Sequence, residues 1–317
     1  MTATTSTHKG AHMNLNPLYL HDFITTKNMP LAEVELVVQT AGQLKKNPEQ
    51  FNIQNKIIAS CFFEPSTRTR LSFETAALRL GGNIIGFSTT EGLSLQKGET
   101  LADTIQMLSS YADLIIIRHP AEGSAKLAAE IATCPVINAG DGANQHPTQA
   151  LLDIFTIKEC QHELNGLSIA IVGDLKHGRT VHSLIDICSL FDIRLYFVAP
   201  EMLSLPDALC DELKKRGARF SFHQSLDDIV PKVDIVYMTR IQKERFSQSG
   251  FVLENSPFTL SPEMLRKAKP NMKILHPLPR VDEIPPSIDK TPYAYYFQQA
   301  ANGVPVRQAL LTLLLNE

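Results

Sequence analysis

The chain has 317 residues, of which 44% are hydrophobic and 20% are charged, and its formal net charge at pH 7 is −3. This composition is typical of a globular protein, and the length favours two domains because a single core rarely serves so many residues. The small negative charge excludes a general attraction to nucleic acid or to an anionic membrane, so any affinity for anions has to come from a local pocket.

The first thirteen residues are polar and lack the apolar core of a secretory signal. Residues 10–13 read Gly-Ala-His-Met, which has the form of a cloning remnant, so we predict that residues 1–13 are a disordered tail or tag. The five cysteines form no C-x-x-C pair, which favours a reducing compartment, and no apolar run is long enough to span a bilayer. We therefore expect a cytoplasmic protein without a membrane partner.

Apolar runs typical of β-strands alternate with helical patterns along the whole chain. They lie at 57–63, 84–87, 114–117 and 136–138 in the first half, and at 167–172, 195–198, 235–238 and 273–275 in the second. Most are nearly continuous, as expected for strands covered on both faces of a parallel sheet. The sequence therefore predicts an α/β fold with two doubly wound parallel-sheet domains, a connecting helix at about 147–160 and an active-site cleft between the domains.

The most informative junction follows the first predicted strand. After Pro65, residues 66–70 read Ser-Thr-Arg-Thr-Arg at the start of a helical pattern. A helix start offers unpaired N–H groups and the positive end of its dipole, and hydroxyl and guanidinium groups beside them complete a phosphate site. One hydroxyl would suffice for an ordinary N-cap, but three hydroxyls and two arginines exceed that need. We predict a site for a phosphate group here.

Polar residues also follow the other predicted strands. They lie at Arg118 and His119, at 140–142 and 146–149, at 174–179, at 239–242 and at 276–280. Ligands of open α/β sheets bind beyond the carboxyl ends of the strands, so we expect these residues to share one cleft. Because arginine suits bidentate recognition of phosphate and carboxylate, several of them indicate a ligand with several anionic groups.

The sequence motifs argue against a nucleotide site and against a metal site. Residues 173–180 match the P-loop pattern except that Arg179 replaces the lysine, and Asp234 precedes its strand, where it cannot serve as the later Mg²⁺ ligand. No G-x-G-x-x-G follows a strand, and the sequence has no H-E-x-x-H motif or clustered Cys and His residues. We expect no cofactor and no metal.

The motif at 66–70 resembles the signature of the carbamoyltransferases that act on aspartate and ornithine. The resemblance covers nearly the whole chain and includes residues 146–149, 173–183, 237–245, 276–283 and 296–301. It is strongest to the catalytic chains of the aspartate branch, of the enterobacterial kind. The stretch His276-Pro277-Leu278-Pro279 departs from the His-Cys-Leu-Pro of the ornithine branch, which favours aspartate as the acceptor.

This resemblance implies transfer of the carbamoyl group from carbamoyl phosphate to L-aspartate, giving N-carbamoyl-L-aspartate and phosphate in de novo pyrimidine biosynthesis. It implies a carbamoyl phosphate-binding domain at 14–150, completed by residues 302–317 as the final helix returns to it, and an aspartate-binding domain at 151–301. Two alternatives stay open. One is an ornithine-type carbamoyltransferase, and the other is a non-catalytic module that binds anionic metabolites.

The resemblance also implies roles for individual residues. Carbamoyl phosphate would be held by Ser66, Thr67, Arg68, Thr69, Arg118, His146 and Gln149, with Ser94 and Lys97. The catalytic residues would be Arg68, Thr69, Arg118 and His146. Aspartate would be held by Lys97, Arg179, Arg240, Gln242, Leu278 and Pro279. Glu64 and Arg245 would join the two domains on closure.

The assembly implied is a homotrimer with shared active sites, because Ser94 and Lys97 of the family's loop reach into a neighbouring subunit. Enterobacterial relatives further imply zinc-containing regulatory chains, which would form a dodecamer under allosteric nucleotide control. No residue of this chain by itself predicts that regulation. We expect no nucleic acid partner.

Overall fold

A computed structural model of the chain describes residues 16–89, 98–240 and 258–317. Within these ranges it contains two parallel sheets, one in each half of the chain. The predicted tail at 1–13 and four of the predicted site residues, Ser94, Lys97, Gln242 and Arg245, lie outside the described residues. No described helix has the length and apolar character needed to cross a membrane.

The first sheet has four strands in the order β2-β1-β3-β4. These strands are β1 (Ile57–Phe62), β2 (Asn83–Phe87), β3 (Leu114–His119) and β4 (Val136–Asp141), and the helices around them are α1 (Leu31–Lys46), α2 (Thr67–Arg79), α3 (Leu101–Ser109) and α4 (Ser124–Ile131). The two inner strands, β1 and β3, are almost wholly buried, as their continuous apolar runs predict.

The second sheet has five strands in the order β7-β6-β5-β8-β9, all paired in parallel. They are β5 (Ser168–Val172), β6 (Arg194–Val198), β7 (Arg219–His223), β8 (Ile235–Met238) and β9 (Lys273–Leu275), with helices α6 (Arg179–Cys188), α7 (Asp207–Lys215) and α8 (Pro262–Leu265). The sequence did not predict β7. It lies at the sheet edge and alternates Phe220 and Phe222 with polar residues, so it lacks a continuous apolar run.

Two long helices join the halves. Helix α5 (Pro147–Gln161) connects the sheets and packs against α1, α6 and α9, and its residues from Pro147 to Ile157 are all buried. Helix α9 (Tyr296–Leu315) leaves the second sheet and packs against α1 and α2 of the first. The predicted fold class and the return of the final helix are therefore confirmed, while the residue boundaries of the two domains stay a prediction.

Candidate active site

A cavity of about 700 Å³ opens where the carboxyl ends of both sheets meet. The first sheet contributes residues at or after the carboxyl ends of β1, β3 and β4, among them Glu64, Ser66, Thr67, Arg68, Thr69, Arg118 and His146, with Gln149 from α5. The second contributes residues after β5, β8 and β9, among them Asp174, His177, Arg179, Thr239, Arg240, Leu278 and Pro279. Every predicted site residue that the structure describes lines this one cavity.

The junction between β1 and α2 forms one wall. Ser66 is the N-cap of α2 in an extended conformation, but its side chain makes no capping hydrogen bond, so an ordinary cap does not explain it. The first-turn N–H groups of α2 therefore stay available to an anion. Burial lowers the pKa of Arg68 from its usual value. Arg70, by contrast, pairs with Glu74 one turn along α2, with Nη1 3.3 Å from Oε1, and is absent from the cavity wall.

Three charged groups of the cavity lining lie in contact with one another. Glu64 Oε1 lies 2.8 Å from Arg118 Nε and 3.4 Å from Arg179 Nη2. Burial lowers the pKa of Arg118 to about 10, the positive charge of Arg179 acts in the same direction, and Glu64 opposes them. At neutral pH Arg118 is still a cation. One carboxylate thus faces two guanidinium groups, which leaves a net positive site for an anionic ligand.

Gly140, near the end of β4, allows this close approach of arginines. Its φ is +120°, and a Cβ at this position would lie 3.1 Å from Arg118 Nη1 and 3.3 Å from Arg179 Cζ. A side chain here would displace one of the two guanidinium groups.

His146 is the N-cap residue of α5 and is 5% exposed. Its backbone N–H donates to Ser183 Oγ at 3.0 Å. Burial lowers its pKa well below the usual value, and the charges of Arg179, Arg118 and Arg307 lower it further. Its Nδ1 atom is buried without a hydrogen-bond partner among the described residues. The ring is therefore a neutral imidazole, which can donate or accept a hydrogen bond without adding charge.

His276 supports the loop that follows β9 through a hydrogen bond to its backbone. The Leu278 N–H donates to His276 Nδ1 at 2.8 Å, so the proton of the neutral ring lies on Nε2, which is 2.7 Å from Glu283 Oε1. The hydrogen-bonded pair of His276 and Glu283 thereby supports the backbone at Leu278 and Pro279, which line the cavity. Leu278 has a φ of +57°, and its peptide bond to Pro279 is cis. These contacts support a structural role for His276.

Sequence reasoning missed Arg307, which also lines the cavity. It projects from α9, is 3% exposed, and its Cζ lies 4.8 Å from the centroid of the Phe73 ring. Burial lowers its pKa to about 9. The available signal was a single arginine inside the strongly apolar stretch 304–315, because a buried arginine usually has a partner or a function. Thr180 and Gln299 were missed as well, whereas His177 belongs to the stretch 174–179 that was expected to share the cleft.

Family models match both halves of the chain. The model of the "Aspartate/ornithine carbamoyltransferase, carbamoyl-P binding domain" matches residues 21–159, and the model of the corresponding "Asp/Orn binding domain" matches residues 165–314. The chain belongs to the aspartate/ornithine carbamoyltransferase family. As a carbamoyltransferase it has the two-sheet architecture that its sequence predicts, with the cavity at the meeting point of the two matched regions.

Carbamoyltransferase relatives are similar over nearly their full length. The chain is 55% identical over 300 residues to the aspartate carbamoyltransferase catalytic subunit of Chromobacterium violaceum, covering 95% of this chain and 99% of the relative. It is 56% identical over 305 residues to the catalytic subunit of Aliivibrio fischeri strain MJ11, covering 95% and 99%.

Solved carbamoyltransferase structures agree with the fold. The aspartate transcarbamoylase of Trypanosoma cruzi in complex with carbamoyl phosphate superposes with a TM-score of 0.90 at 36% identity, covering 95% of this chain and 98% of that one. The catalytic subunit of M. Jannaschii aspartate transcarbamoylase superposes with a TM-score of 0.86 at 45% identity, covering 92% and 96%.

Proposed function

We propose that the chain transfers the carbamoyl group of carbamoyl phosphate to the amine of L-aspartate, giving N-carbamoyl-L-aspartate and phosphate in pyrimidine biosynthesis. The observation that carries this proposal is that Arg68, beside the first sheet, and Arg240, beside the second, line the same cavity. Such a cavity suits a pair of polyanionic reactants held from both sides. The T. cruzi enzyme solved with carbamoyl phosphate and aspartate supports the choice of substrates.

In this proposal the phosphate binds at the start of α2. The side chains of Ser66, Thr67, Arg68 and Thr69 would hold it together with the first-turn N–H groups, and Arg118 would add charge. The helix dipole and a partly buried arginine both favour an anion at this point.

The reacting carbonyl would lie against three donors, Thr69, Arg118 and His146. They would stabilise the negative oxygen of the tetrahedral intermediate, which forms when the aspartate amine attacks the carbonyl carbon. The bond from that carbon to the phosphate oxygen then breaks, and the departing phosphate takes the proton from the amine. No covalent intermediate with the enzyme is required. Gln149 and the backbone at Pro279 would hold the carbamoyl amine.

The aspartate carboxylates would bind between Arg179 and Arg240, beside the backbone at Leu278 and Pro279, with Gln242 and Lys97 completing the site. Glu64 would join the domains on closure through Arg179 and Arg245. Closure would exclude water and align the amine with the carbonyl.

For the domains we propose that residues 14–150 with 302–317 bind carbamoyl phosphate and that residues 151–301 bind aspartate. The packing of α9 on α1 and α2 supports the inclusion of the C-terminal segment in the first domain. The first family model extends to residue 159 and so includes most of α5, which contacts helices of both halves.

We further propose a cytoplasmic homotrimer with shared sites, in which Ser94 and Lys97 enter the neighbouring subunit's cavity. The catalytic-subunit name of the relatives supports additional regulatory chains, which would make the assembly an allosteric dodecamer. Sedimentation of the purified chain alone tests the homotrimer, and sedimentation with regulatory chains tests the dodecamer.

The deciding experiment uses a bisubstrate analogue that joins a phosphonate to aspartate. Calorimetry should show tight binding to the wild type and strongly weakened binding to both Arg68→Ala and Arg240→Ala, because each removes a cation from a different half of the cavity. Arg219→Ala is the matched control, since Arg219 is 59% exposed and pairs with Asp192 at the sheet edge.

Turnover separates this function from the two alternatives. We expect phosphate release from carbamoyl phosphate that depends on aspartate. Carbamoylation of ornithine but not of aspartate would favour the ornithine-type enzyme, and binding of both ligands without turnover would favour the metabolite-binding module.

A further inference from the structure

Asp153 is a buried carboxylate directly behind the cavity. It lies on α5 one turn after Gln149, is fully buried, and receives three hydrogen bonds. Gln149 Nε2 donates to Oδ1 at 2.8 Å, Gln299 Nε2 donates to the same oxygen at 2.7 Å, and the Tyr237 hydroxyl donates to Oδ2 at 2.7 Å. The three donors come from α5, α9 and β8, so the carboxylate joins elements of both halves of the chain.

The hydrogen bonds around Asp153 determine which end of Gln149 faces the cavity. The Oε1 atom of Gln299 accepts the backbone N–H of His276 at 2.7 Å, so its Nε2 atom has to face Asp153. An ionised carboxylate can only accept hydrogen bonds, so Gln149 also has to present its Nε2 atom to it. The Oε1 atom of Gln149 is then left for the cavity, and within the described ranges no donor contacts it.

We propose that Asp153 is a positioning residue that makes the site selective for carbamoyl phosphate over acyl phosphates that carry a methyl group in place of the amine. This inference rests on the proposed function. By holding the Gln149 amide with its oxygen toward the substrate, Asp153 provides an acceptor for the carbamoyl NH₂ group. A methyl group cannot donate, and it would leave the amide oxygen without a partner, which is a strong basis for discrimination.

The ionisation of Asp153 agrees with this role. Burial raises its pKa to about 6, while the hydrogen bonds from Gln299, Tyr237 and Gln149 act in the opposite direction. The group is therefore ionised in the neutral and mildly alkaline range.

Two stable phosphonates test the proposal, phosphonoacetamide and phosphonoacetone, which differ only in the NH₂ and CH₃ groups on the carbonyl. The quantity measured is the ratio of their inhibition constants in competition with carbamoyl phosphate. Asp153→Leu keeps the side-chain shape and removes both acceptors, so the preference for the amide should fall about tenfold. Asp153→Asn should keep most of it, because its oxygen can face Gln149 while its NH₂ group donates to the Tyr237 hydroxyl.

Thr156→Val is the matched control for damage to α5. Thr156 is fully buried three residues beyond Asp153. Its hydroxyl donates to the backbone oxygen of Leu152 and accepts from Asn302 Nδ2, and among the described residues it has no hydrogen bond to Asp153 or Gln149. This variant should lose stability but keep the wild-type ratio. An unchanged ratio in an active Asp153→Leu enzyme, or an equal loss in Asp153→Leu and Asp153→Asn, would overturn the proposal.

A neutron structure of the wild-type protein in D₂O provides a test that does not depend on the folding of a variant. Deuterons on the Gln149 atom that faces Asp153 support the proposal, and an oxygen at that position overturns it. Failure of the proposed function gives a different result: the wild type would release no phosphate on addition of aspartate, or neither phosphonate would compete, whatever the orientation of the amide.

Discussion

Glu64 and Arg179 form an ion pair across the cleft, with Oε1 of the carboxylate 3.4 Å from Nη2 of the guanidinium group. Glu64 follows a strand of the first sheet, whereas Arg179 begins a helix of the second. The Glu64 side chain is 25% exposed, so water weakens the ion pair in part but does not cancel its attraction. It is a direct electrostatic link between the two halves at the cavity.

The first prediction concerns this link. Glu64→Ala should raise the aspartate concentration at half-saturation about two- to fivefold, because a partly exposed ion pair contributes up to about 1 kcal/mol to the closed form. The half-saturating concentration of carbamoyl phosphate should change less, since the phosphate site lies on one side of the cleft. Steady-state kinetics in each substrate measure both values.

Glu130→Ala is a suitable control for Glu64→Ala. Glu130 is 61% exposed and pairs with Lys126 on the surface of α4. Its loss should leave the kinetics of both substrates unchanged. Unaltered aspartate kinetics in Glu64→Ala itself would contradict the proposed role in closure.

The second prediction concerns Arg118. Replacing it with alanine should lower the turnover number about 10²–10³-fold at saturating substrates, the usual effect of losing one donor to a developing oxyanion. Arg118→Lys should recover little, because one ammonium group cannot contact Glu64 and also reach the Ala139 carbonyl, which accepts from Nη1 at 3.3 Å.

The surface variant Arg219→Ala again serves as the comparison for Arg118→Ala, because it removes the same charge far from the cavity. A turnover number within a fewfold of the wild type in Arg118→Ala would exclude Arg118 from stabilisation of the intermediate.

Much of the cavity could be predicted from the sequence because parallel strands share one direction. Residues at or just past the carboxyl ends of the strands lie at the same edge of their sheet, so Arg118, Arg179 and Arg240 could be grouped without any long-range contact being known. The near-continuous apolar runs identified eight of the nine strands that the described residues contain. The exception, β7, is an edge strand with one open face, and its alternating pattern resembles that of many surface segments.

The residues behind the cavity could not be predicted in this way. Asp153 is separated from Tyr237 by 84 positions and from Gln299 by 146, so no local pattern relates them. Arg307 reaches the cavity only because α9 returns to the first sheet. The spacing of residues along the sequence does not show that a distant helix packs back on an earlier sheet. Buried polar contacts between distant elements depend on that packing.

The third prediction concerns the support of the loop at Leu278 and Pro279. His276→Leu removes the acceptor of the Leu278 N–H and the donor to Glu283. It should therefore lower the free energy of unfolding by about 1–3 kcal/mol. It should also raise the half-saturating aspartate concentration. Burial is the largest single influence on the pKa of Glu283 and raises it, but the hydrogen bonds from His276 and from the backbone N–H groups of Glu283 and Val281 together make the net shift downward. In His276→Leu the buried carboxylate of Glu283 therefore loses its hydrogen bond from the histidine, which is one source of the expected loss of stability.

His276→Asn provides the comparison, because its side-chain oxygen can accept the Leu278 N–H while the contact with Glu283 is lost. We expect it to keep more of the aspartate affinity than His276→Leu does. If His276→Leu loses stability and its aspartate kinetics stay those of the wild type, the loop does not depend on this histidine.

The fourth prediction concerns the charge of His146. Because burial and three nearby arginines lower its pKa well below 6.5, its NMR signals should show no titration between pH 5.5 and 8. The unfolded chain takes up a proton at this residue near pH 6.5, whereas the native protein does not. At this residue the unfolded state therefore binds more protons as the pH falls, and the contribution of His146 to stability should decrease below about pH 6.5 with a slope of at most about 1.4 kcal/mol per pH unit.

His146→Gln should remove this part of the pH dependence, whereas His21→Gln, at an exposed histidine outside the cavity, should leave it in place. Chemical denaturation at several pH values between 5 and 8 measures the slope for each protein. The same argument makes His146 a neutral donor to the reacting carbonyl, so an acid limb in the rate profile near pH 6.5 cannot come from its protonation. A titration midpoint of His146 near 6.5 would show that the surrounding arginines do not act on it as the geometry requires.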